Sequence, residues 1–344
     1  MGRTPICLAF KMACRTPGPE LEQDGRKVEV LTSAQVYYNG NTVPNMIYEP
    51  TPHRGWLPFV WLAPVICILL VALSSVPIDF LMEHWGLVDA KGDPLTAAAF
   101  CLFLLLPFAT MAAATYAWSR YVERRALKTL GLTGSGRLRK FLGGLAIGIA
   151  MMGLAISAIW LAGGYRVEAG FPAFASASSL AWIALLLPCF AFQSGVEEFI
   201  FRGWLLSSVT RRWNLVAGIV ATSVAFTFLH YSPHQPLRVT CLSFLFSVFA
   251  CAWARRANSI WGVMGWHAGW NWFAGVGFGV PITGLDAHLP ALLVKLVPIG
   301  PDYLTGGFDG PEGSVLTLAM LVIASLSVFA LPANEPPRLG APGV

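Results

Sequence analysis

Three short patterns gather the side chains of this chain that could activate water: Glu197-Glu198-Phe-Ile-Phe-Arg202, Phe226-Thr-Phe-Leu-His230 and His267-Ala-Gly-Trp-Asn271. Each falls within or at the end of a long apolar stretch. A charge near the centre of a membrane helix costs about 2.5 to 3.5 kcal/mol on insertion scales, so such groups must face a bundle interior or a wet cavity. Glu198 and Arg202 are spaced i,i+4 with the acid first, the favourable order for a pair on one helical face. Glu197 lies about 100° around the helix, with Phe201 as its i+4 neighbour, and nothing local neutralises it. A carboxylate left without a counter-charge is the candidate general base. The plainer alternative is that the three residues only pin a helix interface.

His230 closes its apolar run, where a lone histidine is more often an interfacial residue than a catalyst. His234, one turn further on, falls in a turn flanked by Pro233 and Pro236. His267 and Asn271 share one helical face at i,i+4, and each can supply a hydrogen bond to the other or to a substrate carbonyl. Two polar residues gluing helices together is again the bland reading.

The elements that must hold these groups follow from composition. The chain is 56% hydrophobic and 12% charged, with a mean hydropathy of +0.61. Soluble domains carry about 25% charged residues, so the class is an all-α integral membrane protein. Runs long enough to cross a hydrocarbon core, roughly 20 residues of helix, lie at 57–82, 97–119, 141–163, 181–209, 214–234, 236–254, 257–279 and 314–332. The expectation is a bundle of about eight transmembrane helices around a polar catalytic cavity. Residues 1–56 read as a poorly ordered cytoplasmic tail, with Met46 an alternative translation start, 57–332 as the membrane domain, and 333–344 as a C-terminal tail.

Arg120, Arg124, Arg125, Lys128, Arg137, Arg139 and Lys140 cluster between the second and third runs against one acid, Glu123. The positive-inside rule places this loop, and by alternation both termini, in the cytoplasm. The net charge of +5 therefore reads as topology and not as a nucleic-acid stripe. Five of seven cysteines sit in apolar stretches without a C-x-x-C pair, which argues against a disulfide framework. Pro188 is expected to kink the fourth helix, and Gly144 with Gly148 to form a close-packing face on the third. The outer segment 280–313, with an apolar stretch Leu289 to Val297 and a glycine-rich run from Leu304, reads either as an interfacial or re-entrant cover over the site or as an ordinary exposed loop. From span midpoints, Glu197 lies roughly 3 Å inside the bilayer centre, His267 within about 2 Å of it and His230 roughly 9 Å towards the outer face. A tilt, a kink or a different helix boundary must bring His230 level.

The order E-E-x-x-x-R, F-x-x-x-H, H-x-x-x-N resembles the CPBP family, the type II CAAX prenyl endopeptidases and their bacterial relatives, over about residues 140–332. The resemblance implies a peptidase in which Glu197 and His230 activate water while His267 and Asn271 stabilise the oxyanion, supported by Glu198, Arg202 and Phe226. It also implies a membrane-embedded or lipidated protein or peptide as substrate, and a bacterial inner membrane as the location. Glu197, His230 and His267 are equally a zinc ligand set. A zinc peptidase adds a separate base to its three ligands, and with Glu198 committed to Arg202 the metal-free mechanism is preferred. The chain shows no H-E-x-x-H, no G-x-S-x-G and no paired membrane aspartates. Two other classes fit the same residues: a transporter or proton relay, and a non-enzymatic immunity or assembly factor.

Overall fold

The computed structural model describes residues 37–38, 41–42, 47–48 and 55–330, apart from 90, 133, 234, 287 and 288. His234, the C-terminal tail 333–344 and most of 1–56 therefore lie outside the described residues. The chain divides into two units, 1–45 and 46–344. In the first, β1 (Tyr37–Tyr38) pairs antiparallel with β2 (Asn41–Thr42).

The second unit is helical. Its passes are α1 (Leu62–His84), α2 (Ala97–Ala117), α3 (Arg137–Leu161) and α4 (Ala177–Glu198), which continues through a π-helical stretch, Phe199–Leu205, into α5 (Leu206–Arg212). They are followed by α6 (Leu215–Leu229), α7 (Leu237–Ala257), α8 (Trp261–Gly277), the short α9 (Asp302–Thr305) and α10 (Val315–Ala330). Six helical stretches among the described residues are long and apolar enough to cross a membrane, with 177–212 counting as one. The expected count is about eight; of the other two, α6 is a shorter apolar helix of 15 residues and α8 has 17, both below the length that a full crossing needs. At one end of the bundle, β3 (Tyr165–Gly170) pairs antiparallel with β4 (Val294–Pro298). Polar caps start three of the helices: Thr96 Oγ1 accepts from Ala99 N, Ser176 Oγ from Ser179 N and Asn214 Oδ1 from Ala217 N.

Two features of this frame position the candidate site. The first is a seam of small residues between α3 and α8. A Cβ on Gly144 or Gly148 would run into the backbone carbonyls of Gly262 and Trp266, and one on Gly265 or Gly269 into those of Phe141 and Leu145. The G-x-x-x-G face on α3 thus meets a matching glycine face on α8, and the backbones touch without side chains between them.

The second is the π-helical stretch directly after Glu197 and Glu198. α4 continues as helix through Pro188, and the departure from α geometry comes at Phe199. Widening the turn by one residue frees carbonyls from the regular ladder, and side chains take them up. Tyr48 Oη donates to Arg202 O at 3.0 Å, and Ser207 Oγ bonds the Gly203 and Trp204 carbonyls. Ile47 and Tyr48 are buried, and Ile47 N donates to Asn258 Oδ1 at 2.8 Å, so this part of the expected tail is strapped to the helices. Glu123, the lone acid of the basic loop, is a buried hub that accepts from Trp118, Trp204 and Arg125.

Candidate active site

Glu197 and Glu198 close the regular part of α4, both buried, and diverge as their 100° offset requires. Glu198 Oε1 accepts from Arg202 Nη1 at 3.0 Å and from His267 Nδ1 at 2.8 Å. The pair with Arg202 is as the spacing requires, and the second bond gives Glu198 another task. An ionised carboxylate only accepts, so His267 carries a proton on Nδ1 and turns Nε2 towards the cavity. Arg202, fully buried, lies over the Phe226 ring, 4.7 Å from its centroid. A cation–π contact of this kind is strongest where water is excluded, and it complements the single carboxylate partner.

Glu197 Oε1 accepts from Gln193 Nε2 at 2.8 Å, whereas Oε2 is buried without a hydrogen-bond partner and stands 3.8 Å from His267 Nε2. That separation is too long for a direct hydrogen bond and leaves both atoms facing one point in the cavity. Asn271 Nδ2 reaches Gln193 Oε1 at 3.4 Å, a weak contact that ties α8 back to α4. Asn271 bonds Gln193 and not His267, although the two share a helical face.

His230 is the C-cap of α6. The helix ends at Leu229, five residues short of the boundary expected at 234, and His230 lines the same cavity as Glu197, His267 and Asn271. Its ring stacks on Phe226 with centroids 4.2 Å apart, and Nδ1 is 2.9 Å from Phe226 O. A carbonyl accepts only, so Nδ1 carries the proton and Nε2 is the free ring nitrogen. Phe226 therefore contacts both Arg202 and His230.

The cavity has a volume of about 440 Å³. Phe100, Phe103, Phe108 and Phe190 form an aromatic side, facing the polar side that carries the three motifs. Its roof comes from the glycine-rich cover, a 3₁₀ stretch at Gly307–Gly313. Glu312, buried there, accepts from Trp270 Nε1 at 2.7 Å and from Thr283 N and Oγ1 at 2.9 and 2.7 Å. Gln193 and Glu312 are functional-site residues that motif spacing missed. Gln193 was within reach of it, being four residues before Glu197 on the same face, whereas nothing local marks Glu312.

The zinc reading needs Glu197, His230 and His267 to converge on one ion. Among the described residues no group of three or more His, Cys, Asp and Glu side chains is gathered closely enough to hold a metal. One oxygen of Glu197 and one nitrogen each of His230 and His267 are already engaged inside the protein. The five described cysteines are free.

Residues 178–273, a segment that holds all three motifs, match the family model described as Type II CAAX prenyl endopeptidase Rce1-like. The chain thus carries an Rce1-like domain over this segment, and a protease acting within the membrane is the kind of function that domain supports. Among curated proteins and among solved structures, none matches the chain.

Proposed function

We propose that the chain is an intramembrane endopeptidase that hydrolyses a peptide bond of a membrane-associated or lipidated substrate with water activated by Glu197. The observation that carries this reading is the unpartnered, buried Oε2 of Glu197, facing His267 Nε2 across 3.8 Å in a cavity that His230 and Asn271 also line. A water placed there hydrogen-bonds Glu197 Oε2 and the free Nε2 of His230. As its oxygen attacks the scissile carbonyl carbon, one proton passes to Glu197. The carbonyl oxygen, now negative, accepts from His267, protonated at Nε2 and backed by Glu198, and from Asn271 Nδ2–H. Collapse of the intermediate breaks the C–N bond, and the proton on Glu197 leaves on the amine. The aromatic side of the cavity takes apolar side chains flanking that bond. The basic end of the bundle, with both termini, faces the cytoplasm, and a bacterial inner membrane is the proposed location.

The test is cleavage in proteoliposomes. Removing a general base costs about 10² to 10⁴ in rate, so Glu197→Gln should abolish measurable turnover at unchanged expression. Asn271→Ala should lower kcat by about 10² while leaving KM nearly unchanged. Turnover by Glu197→Gln within tenfold of wild type would falsify the assignment. Metal analysis of active enzyme decides the zinc alternative: one zinc per chain, lost together with activity on chelation, would replace this mechanism. In cells, membrane-protein termini that are identical with and without active Glu197 would count against proteolysis as the role.

A further inference from the structure

A second cavity of about 620 Å³ lies between α1, α2 and the loop that joins them, and Phe103, Phe108 and Leu285 line both it and the catalytic cavity. The two are neighbours across a wall of three side chains. The second cavity is built into the frame: Thr110 Oγ1 on α2 donates to Ser74 O on α1 at 2.8 Å below it, and a Val88–Pro94 bridge closes the loop above. Val76, Phe80, Met82 and Met111 supply its apolar lining. Its polar lining is one-sided, with Asp79, Glu83, Asp89 and Asp93 against a single cation, Lys91.

Asp89 is occupied locally, its Oδ1 accepting from the backbone N–H groups of Lys91 and Asp93, which holds its carboxyl below the usual range. Asp79 and Glu83 are different. They sit i,i+4 on α1, both exposed, and neither belongs to an ion pair among the described residues. Like charges at this spacing repel, so the helix carries a small unrelieved cost at the mouth of an apolar cleft. A cation seated between them would relieve it.

A peptide cannot present one bond to Glu197 without placing its flanks somewhere, and a cavity of about 440 Å³ holds only the residues nearest that bond. We infer that the second cavity is a substrate subsite for the flank on one side of the cleaved bond, selecting a segment in which apolar residues are followed by lysine or arginine. The inference rests on the peptidase reading above. Phe103, Phe108 and Leu285 form the threshold over which the chain passes, Phe80 and Met111 cover its apolar residues, and Asp79 with Glu83 meets its charge. The selection acts on binding, because these two acids stand outside the cavity where the bond is cut.

The experiment uses twelve-residue peptides with one leucine- and phenylalanine-rich core, ending in Lys-Lys or Glu-Glu at either terminus. The full-length protein is reconstituted in phosphatidylcholine vesicles, whose surface carries no net charge to gather either tail. KM is measured for wild type, and Kd for Glu197→Gln, which should bind without turnover. One lysine-tailed peptide should show a KM and a Kd about fivefold or more below its glutamate-tailed counterpart, the range two partly exposed ion pairs can supply. The preference should shrink in 0.5 M salt. Asp79→Asn with Glu83→Gln should remove the preference at unchanged kcat, and Asp79→Lys with Glu83→Lys should invert it. Equal affinity for both tails, or a preference that survives charge reversal, overturns the subsite. Charge-dependent binding to Glu197→Gln without cleavage by wild type would sink the catalytic reading and leave the subsite standing, whereas cleavage indifferent to charge does the reverse.

Discussion

Replacing Gln193 with leucine tests whether the carboxylate of Glu197, the proposed base, is positioned or merely present. Gln193 is 6% exposed. Its oxygen accepts from Ser194 Oγ at 3.0 Å and from Asn271 Nδ2 at 3.4 Å. With the oxygen occupied by two donors, the NH₂ group must face Glu197, and it does so at 2.8 Å from Oε1. That bond decides which oxygen of Glu197 is held and which is left for water. Leucine keeps the volume and removes the donor. A hydrogen bond to a charged group contributes about 1.5 to 3 kcal/mol, and if most of it orients the carboxylate in the transition state, kcat falls roughly 10- to 100-fold. KM should stay within about threefold, because the amide acts through Glu197 and not on the substrate. Combined with Asn271→Ala, the loss should be smaller than the product of the two single losses, since both changes break one chain of contacts. A kcat within threefold of wild type, or a parallel rise in KM, would refute positioning by this amide.

Three further outcomes follow from the same packing. Glu198→Gln strands a fully buried guanidinium, a loss of about 3 to 5 kcal/mol, and should yield little folded protein; Glu198→Gln with Arg202→Met should restore folding, read by thermal unfolding in detergent, without restoring turnover, because the charged acceptor of His267 Nδ1 is gone. Gly265→Ala should lower the unfolding temperature by the equivalent of about 1 to 3 kcal/mol, since the new methyl meets Phe141 O, while Gly143→Ala, with nothing within 4 Å, should be neutral in the same assay. Tyr48→Phe should cost about 1 kcal/mol by leaving Arg202 O without its donor; an unchanged unfolding temperature would show that the strap does not support the π-helical stretch.

Much of the fold was legible because membrane-crossing helices obey a crude rule. A charge inside an apolar run is so costly that Glu197, Glu198, Arg202 and His267 had to turn inward, and Gly144 with Gly148 advertised a close-packing face on α3, though not that α8 would fill it. What stayed hidden depends on where hydrogen-bond ladders end or slip. The expected boundary at 234 carried the helix past His230, since hydropathy runs on beyond Leu229 while the helix does not. The π-helical stretch leaves no mark on periodicity over so few residues, yet it opens the carbonyl that Tyr48 fills. Glu312 was not singled out within the glycine-rich run, because its partners Trp270 and Thr283 are remote in sequence.

The arrangement also says which of the polar groups is free to act. On α8, Gly265 and His267 are two residues apart, as are Gly269 and Asn271, which puts each polar side chain about 200° from a glycine and so nearly opposite the seam with α3. Backbone contact through that seam leaves α8 no room to retreat, and Glu198, itself paired with Arg202, holds His267 at Nδ1 and leaves Nε2 to the cavity. His230 is held in turn by its stacking on Phe226 and by the Phe226 carbonyl. Both imidazoles are thus fixed at one nitrogen and offer the other. Glu197 and Glu198 each keep one buried oxygen without a hydrogen bond, but Glu198 is already paired with Arg202 and His267, whereas Glu197 faces no cation of that kind and lines the cavity. Fixed rings that orient, beside a carboxylate that can take up and release a proton, is the division of labour hydrolysis asks for, and on that ground the proposed mechanism gives proton transfer to Glu197 over either histidine.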